Sequence, residues 1–204
     1  MHKKLLSTIF FSLLLFMAHA NTVTFSSDSM RGKAGESGTT VLSGNATVSN
    51  DEFSIKGDSI ELSGKDFSYI VAFGNVSGEN TKSHFSFSAD KITYDRTKRI
   101  IEFYGSVSLI DTQNDTTITS DYAQFKEETE ILNLKFNVRI TQKDKICTAL
   151  FATYTRKISL VDLAGKPQVI NGTDTFRAER ISIQLDTEEI SLQGKVSGSL
   201  EQKE

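Results

Sequence analysis

The side chains that could carry catalysis or bind a metal are few in this chain. His84, in the polar stretch NTKSHF, is the only histidine outside the apolar N-terminal segment. A Ser-His-Asp site or a zinc site needs several such groups together, so we interpret His84 as a solvated loop residue. Cys147 is the only cysteine, and with no identifiable base to activate it we expect a small apolar core residue. The sequence therefore predicts no catalytic residue, no metal ligand and no cofactor.

Acidic residues recur along the chain at a nearly constant interval. Asp58, Asp90 and Asp121 follow this interval, and Glu179 rejoins it after one position at which Leu150 stands instead. Carboxylates in a column could form a ladder of calcium sites, but calcium needs several oxygen ligands close together, and each interval supplies one. We favour a structural role, in which each carboxylate accepts backbone N–H hydrogen bonds where a strand bends, outside the interior.

The acidic residues lie in predicted strands whose apolar side chains change parity. In the stretch FSADKITYD, Phe87 and Ala89 occupy odd positions, whereas Ile92 and Tyr94 occupy even positions. Successive side chains of a strand point to opposite faces, so one face stays apolar only if the strand kinks or bulges in between. We predict a kink at Ala89, with the three large apolar side chains facing one interior and Asp90 facing outward.

The parity switch occurs five times. It is centred on small residues spaced by 32, 31, 29 and 29 positions: Gly57, Ala89, Ser120, Ala149 and Ala178. A short polar turn then leads to a second strand, which we expect to end at a second mark: Gly74, Gly105, Phe136, Gly165 and Gly194. Repeats that each carry one apolar face bury it by stacking. The pattern therefore predicts two strand faces that curve over a shared interior.

Length and composition restrict the class of protein. The chain has 204 residues and one proline, and no stretch keeps a helical period. A basic start, an apolar run and a small-residue end at 18–20 are typical of a cleavable secretory signal. An uncleaved anchor is the alternative, although the run is short for a span of about 20 residues. We expect a signal peptide at 1–20 and a single domain at 21–204, whose 21 basic and 26 acidic residues disfavour nucleic acid as a partner.

The repeat resembles the OstA-like, or LptA-like, family of periplasmic lipopolysaccharide-transport proteins. The resemblance covers about residues 40–200. It is carried by these stretches: IKGDSIEL (55–62), SADKITYD (88–95), SGNATV (43–48), FGNVSG (73–78), YGSVSL (104–109) and QGKVSG (193–198). The chain departs from the family pattern at Leu150, which replaces the acid, and at Phe136, which replaces glycine.

The resemblance implies a fold and a binding site. The implied fold is all-β, an open-ended antiparallel β-jellyroll built from about five to six two-strand repeats of roughly 30 residues. The implied site is an apolar interior groove along which the acyl chains of a lipid slide. The candidates to line this groove are Ile55, Ile60, Leu62, Phe87, Ile92, Tyr94, Ile101, Phe103, Ile118, Phe125, Leu132, Leu134, Phe136, Tyr154, Leu163, Phe176, Ile181 and Ile183. The same side chains could instead form an ordinary filled core, a choice that the sequence leaves open.

The resemblance also implies a function. The leading hypothesis is a periplasmic bridge that binds lipopolysaccharide or a related lipid between the inner and outer membranes. It would pair end to end, through β-strands, with itself or with homologous jellyroll domains of inner- and outer-membrane transport components. One alternative is an inner-membrane-anchored docking component similar to LptC. Another is a structural β-repeat protein that self-assembles through its open edges without lipid. The sequence gives the least support to the hypothesis of an enzyme.

Overall fold

The computed structural model describes residues 23–32 and 38–201, and within these ranges nearly the whole chain is extended. The strands are β1 (Thr24–Ser26), β2 (Ser29–Gly32), β3 (Thr40–Ser49), β4 (Phe53–Ser63), β5 (Tyr69–Asn80), β6 (Phe85–Asp95), β7 (Ile100–Asp111), β8 (Thr116–Lys126), β9 (Ile131–Gln142), β10 (Lys145–Thr155), β11 (Leu160–Ala164), β12 (Gln168–Asn171), β13 (Asp174–Arg177), β14 (Arg180–Gln184), β15 (Ile190–Gln193) and β16 (Ser197–Ser199). Two 3₁₀ turns occupy Lys65–Phe67 and Arg156–Ile158. The predicted signal peptide at 1–20 lies outside the described residues. No helix in the described ranges is long and apolar enough to cross a bilayer.

The strands form one antiparallel sheet in which neighbours in sequence are neighbours in space. From β3 to β10 each strand pairs with the next along the chain. β10 then pairs along one part of its length with β11 and along the other with β12. Together, β11 and β12 therefore occupy the place of one long strand beside β10. The sheet does not close on itself, because β2 and β15 each pair on one side only within the described residues. The expected all-β, open-ended antiparallel fold is confirmed.

The long strands bend at the residues that the parity switch marks. Between β5 and β6 the register runs from Phe73↔Lys91 to Val76↔Ala89. Two residues of β5, Gly74 and Asn75, therefore oppose one residue of β6, and both have a positive φ, of 72° and 48°. This is a β-bulge, which bends a strand and increases its twist. The extra residue lies on the glycine-bearing strand rather than, as expected, at the small residue of the partner strand.

In three of the five repeats the second mark lies inside a strand and not at its end. β5 continues through Gly74, β7 through Gly105 and β9 through Phe136. The expectation that the second strands end at these marks is therefore wrong for these three repeats, whereas β11 and β15 do end directly before Gly165 and Gly194. The physical reason is that a bulge leaves only the extra residue unpaired, so the ladder resumes on the far side.

Phe136 occupies the bulge of β9, with a φ of 63°, and its side chain is 50 % exposed. Its ring lies 5.8 Å from that of Phe151, which is also exposed, at 43 %. Phe136 therefore lies outside the interior, and its assignment to the groove was wrong. A residue in a left-handed bulge leaves the alternation of the strand, so the parity of its neighbours does not apply to it.

The bends divide the sheet into two half-sheets that face each other across one apolar core. The turns at the free margin of the first half-sheet form what we term the first rim: residues 50–52, 81–84, 112–115, 143–144 and 172–173. Those at the margin of the other half-sheet form the second rim: residues 64–68, 96–99, 127–130, 156–159 and 185–189. Contacts between the half-sheets join residues far apart in sequence, such as Phe85 and Phe125, whose rings stack at 5.7 Å. The cleft between the rims is the entrance to the interior.

Candidate functional site

The acidic residues of the repeat stabilise the bulges from outside. Asp58 accepts a hydrogen bond of 3.1 Å from the side-chain amide of Asn75. Asp121 accepts one of 2.7 Å from the amide of Asn137. The expected position outside the interior is confirmed, since these acids are exposed. The donors differ from the expectation, because they are side chains of the bulge residues and not backbone N–H groups.

The two residues with reactive side chains have no partners for chemistry. His84 is exposed, in the first rim. Cys147 is 1 % exposed within the core, and burial raises the pKa of its thiol to about 12. A protonated thiol is neither a nucleophile nor a metal ligand. Within residues 23–32 and 38–201, no three His, Cys, Asp or Glu side chains come together as in a metal site.

Seventeen of the eighteen groove candidates belong to the interior, and Phe136 is the exception. The interior is not uniform, however. Six candidates line a cavity of about 680 Å³ that opens between the rims: Leu62, Phe87, Tyr94, Ile101, Phe103 and Phe125. Ten others are buried in the core away from this cavity: Ile55, Ile60, Ile92, Ile118, Leu132, Leu134, Tyr154, Leu163, Ile181 and Ile183. Phe176 is partly buried and packs against the core. The structure therefore contains both alternatives, an open cleft and a filled core, in different places.

Aromatic rings line the cavity from both half-sheets. Phe53 of the first half-sheet lies 6.3 Å from Tyr94 of the second, and Phe87 meets Phe103 edge-on at 5.4 Å. Burial, together with the nearby carboxylate of Glu127, raises the pKa of Tyr94 to about 12. The tyrosine is therefore uncharged at neutral pH. Between the half-sheets these walls offer apolar surface, and the charged lining residues lie at the rims, an arrangement that suits hydrocarbon chains.

The cavity contains residues that the sequence interpretation did not assign to it. Val48, Phe53, Ile70 and Phe85 line it as well. Phe85 shares the parity of Phe87, and this signal alone was sufficient to include it. Ile70 precedes Gly74 by four residues, as Ile101 precedes Gly105, so the repeat indicated it as well. Val48 and Phe53 lie on inward positions beyond the aligned columns of the repeat.

A buried ion pair bounds the cavity on the side of β8. The Arg156 guanidinium on the second rim donates from Nε to Asp111 Oδ2 at 2.7 Å and from Nη2 to Asp111 Oδ1 at 3.0 Å. Burial by itself would raise the pKa of Asp111, but hydrogen bonds from Arg156 and Asn114 outweigh it, so the pKa lies below its usual value. Asp111 and Arg156 continue the inward parity of Leu109 and Tyr154. An acidic and a basic residue at inward positions of their strands were therefore the sequence signal for this buried ion pair.

A second hollow, of about 960 Å³, lies on the outer face of the second half-sheet. Its lining includes the polar side chains of Gln124, Asn133 and Asp162. Contact with hydrocarbon would remove these polar groups from water, which costs free energy. The smaller cavity between the rims is therefore the better candidate for binding an apolar ligand.

Comparisons with known proteins agree with the resemblance. No curated protein matches the chain. Among solved structures, one match is to LptH of Pseudomonas aeruginosa, described as the LptA homologous periplasmic component of the conserved lipopolysaccharide transport device. The match covers 89 % of this chain and 96 % of that chain, with 11 % sequence identity and a TM-score of 0.26; similarity at that level adds nothing on function.

A family model described as "LptA/(LptD N-terminal domain) LPS transport protein" matches residues 86–189. This range contains the cavity-lining part of β6 to β8 and the buried pair of Asp111 and Arg156. It comprises 104 of the 204 residues, half of the chain. On this match, the chain belongs to the LptA/LptD N-terminal domain family of lipopolysaccharide transport proteins.

Proposed function

We propose that this protein binds lipopolysaccharide, or a lipid with similar acyl chains, in the periplasm and passes it between the inner and outer membranes. Family membership supports the class of cargo. The observation that carries the proposal is the cavity of about 680 Å³, whose aliphatic and aromatic side chains lie between the half-sheets while its polar and charged residues lie mainly at the rims. Transfer of apolar surface out of water contributes about 0.8 kcal/mol per CH₂ group. A few partly enclosed acyl chains are then held without any specific polar contact.

The position of the cavity suits an amphipathic lipid. Its apolar walls lie between the half-sheets, and charged side chains such as Lys82, Arg96 and Glu127 surround it at the rims. Acyl chains would lie inside, and the polar head group would project between the rims into water. No catalytic step is needed for this function, so we propose a carrier and not an enzyme.

We further propose that the protein pairs end to end with itself or with homologous jellyroll domains of inner- and outer-membrane transport components. At the N-terminal end, Phe25 and Met30 pair with the inward-facing Val48 and Leu42 but are 55 % and 58 % exposed. At the other end, Val196 is 56 % exposed. An unpaired edge with apolar side chains favours addition of another strand.

The test of lipid binding is site-specific photo-crosslinking in cells that make lipopolysaccharide. A benzophenone amino acid at Phe87 faces the cavity, whereas the same amino acid at Ser86 lies on the other face of β6. We expect a lipopolysaccharide adduct from position 87 and little or none from position 86. Absence of an adduct at 87, or equal capture at both positions, would contradict the proposal. It would favour a structural β-repeat protein that assembles without lipid.

The intact mass of the exported protein tests our proposal for residues 1–20. A mass corresponding to a chain that begins at Asn21 is expected for a cleaved signal peptide. A retained Met1 would favour the anchored docking component instead.

A further inference from the structure

Charged residues are arranged differently along the two parts of the cleft. Between β3 and β8, each of two ion pairs joins residues of the same rim. Lys82 contacts Glu52 on the first rim, at 3.2 Å, and Arg99 contacts Glu127 on the second rim, at 3.2 Å. Neither pair joins the two rims. Arg156 on the second rim instead reaches Asp111 at the margin of the first half-sheet. The two half-sheets are therefore joined by charge at this point of the cleft.

The pair of Asp111 and Arg156, which we term the clasp, is buried and joined by several hydrogen bonds. Its side chains are 0 % and 7 % exposed. Asp111 also accepts bonds from Tyr154 Oη at 3.2 Å and Asn114 Nδ2 at 2.8 Å. Arg156 Nη2 donates further to the Ser83 carbonyl, on the first rim. A two-point guanidinium–carboxylate contact has a fixed geometry, so the clasp sets the separation of the rims.

The clasp lies at the boundary between the open and the filled interior. The Arg156 side chain lines the cavity, and its guanidinium carbon is 6.0 Å from the centre of the Phe85 ring. Beyond it the inward residues are closely packed: Ile140, Leu163 and Ile181 are at most 2 % exposed. Lys145, 4 % exposed at the margin of the first half-sheet, lies 4.0 Å from Glu188 on the second rim, a further contact across the cleft.

An acyl chain can replace the apolar contacts between the half-sheets, but it cannot replace the ion pair of the clasp. Away from the clasp, the two half-sheets between β3 and β8 meet through aromatic rings, such as Phe85 with Phe125. Such contacts are apolar and non-directional, so hydrocarbon substitutes for them without exposing a charge. Hydrocarbon cannot replace the partner of a buried charge, because the charge left behind has no compensation.

We propose that the clasp is the end wall of the lipid site, so that acyl chains rest between β3 and β8 and move onward only when Arg156 releases Asp111. The inference rests on the lipid-binding function proposed above and goes beyond it, because it names the part of the interior that is occupied and the residues that end it. The occupied part spans six strands, or about 24 Å at about 4.8 Å per strand. The segments β10 to β14 stay free of lipid while the clasp is closed.

Photolabelling of the unmodified mature protein tests the inference. The probe is palmitate with a diazirine in its acyl chain, and the labelled residues are mapped by mass spectrometry. We expect labels at cavity residues of β3 to β8, such as Leu62, Phe87 and Phe125, and at least tenfold fewer within residues 145–184. Equal labelling of both parts overturns the inference but leaves lipid binding intact. The absence of any label overturns lipid binding itself and the inference with it.

The double variant D111L/R156M tests the role of the clasp directly. It exchanges the ion pair for apolar side chains, a change that leaves no unpaired buried charge and is often tolerated. We expect its labelling to extend into residues 145–184, whereas E52Q, which removes an ion pair along the first rim, keeps the original map. A folded double variant with the original map overturns the clasp as the end wall. If the double variant does not fold, the map of the unmodified protein still decides where the lipid lies.

Discussion

At six places in the described chain, two consecutive residues take a positive φ and bend a strand. These pairs are Gly44–Asn45, Gly74–Asn75, Gly105–Ser106, Phe136–Asn137, Gly165–Lys166 and Gly194–Lys195. Glycine is favoured at the first position for two reasons. A Cβ there is strained at positive φ, and at Gly74, Gly105 and Gly194 it would also overlap the acidic side chain of the neighbouring strand. At these three bends the acid and the glycine are therefore a matched pair, which explains why both recur at the same interval there.

The substitution G105A tests this explanation. We expect the free energy of unfolding to fall by about 1–2 kcal/mol from left-handed strain. A further loss of about 1 kcal/mol is expected because Asp90 must move and lose its hydrogen bond from Ser106 Oγ. G172A is the matched control, since Gly172 has a φ of 61° but no atom within 4 Å of a Cβ. Chemical denaturation measures both variants, and equal losses would show that the overlap with Asp90 has no cost.

Among the elements, β7 and β10 hold the cleft together, because Asp111 ends β7 and Arg156 follows β10 directly. Alternation along each strand predicts that both side chains face inward. It does not predict that they meet, because they are 45 residues apart and belong to strands that do not pair. Their contact depends on how far the two half-sheets fold over each other, which the side chains of several strands decide together. Sequence patterns therefore identified the inward positions but missed the clasp.

The pH dependence of stability checks the clasp. The pKa of Asp111 lies below its usual value in the folded protein, so its ionised form contributes stability above the unfolded pKa of about 3.9. This contribution is lost as the pH falls through the folded pKa. D111N lacks this stabilisation already at neutral pH. We expect its free energy of unfolding to be about 3–5 kcal/mol lower there, because the Arg156 charge remains buried without a partner. We therefore expect the wild-type and D111N stabilities to converge below pH 4.

The control for this measurement is E52Q, which removes the partner of Lys82. That pair is exposed, with side-chain exposures of 73 % and 50 %, and exposed pairs contribute about 0–1 kcal/mol. We expect E52Q to change the free energy of unfolding by less than about 1 kcal/mol at neutral pH. A D111N effect as small as that of E52Q would contradict a stabilising clasp.

As a whole, the described part of the chain is a folded ribbon whose sheet does not close on itself. At its N-terminal end, Met30 pairs with the buried Leu42 and is itself 58 % exposed. A second module placed there would extend both the sheet and the apolar interior. This arrangement is the physical basis of the end-to-end pairing that we propose.

The substitution M30E tests end-to-end pairing. Glutamate at position 30 places a charge where the interior of a second module would continue, so we expect weaker self-association in analytical ultracentrifugation. S29E is the control, because residue 29 precedes Met30 and lies on the opposite face of β2, paired with Ser43. Both sites are exposed, and neither change is expected to unfold the protein. Equal association of the two variants at all concentrations would argue against pairing through this end.

The sequence by itself determined which residues form strands, the level at which the strands bend and, outside bulge positions such as Phe136, which side chains face inward. These are local properties, set by alternation along a strand, by small residues and by polar turns. Only the tertiary structure decided which part of the interior is open. Parity assigns Phe87 and Leu163 to the same interior, yet one lines a cavity and the other is packed. The separation of two facing half-sheets depends on many contacts between strands that are not neighbours, of which the pair of Arg156 and Asp111 is one.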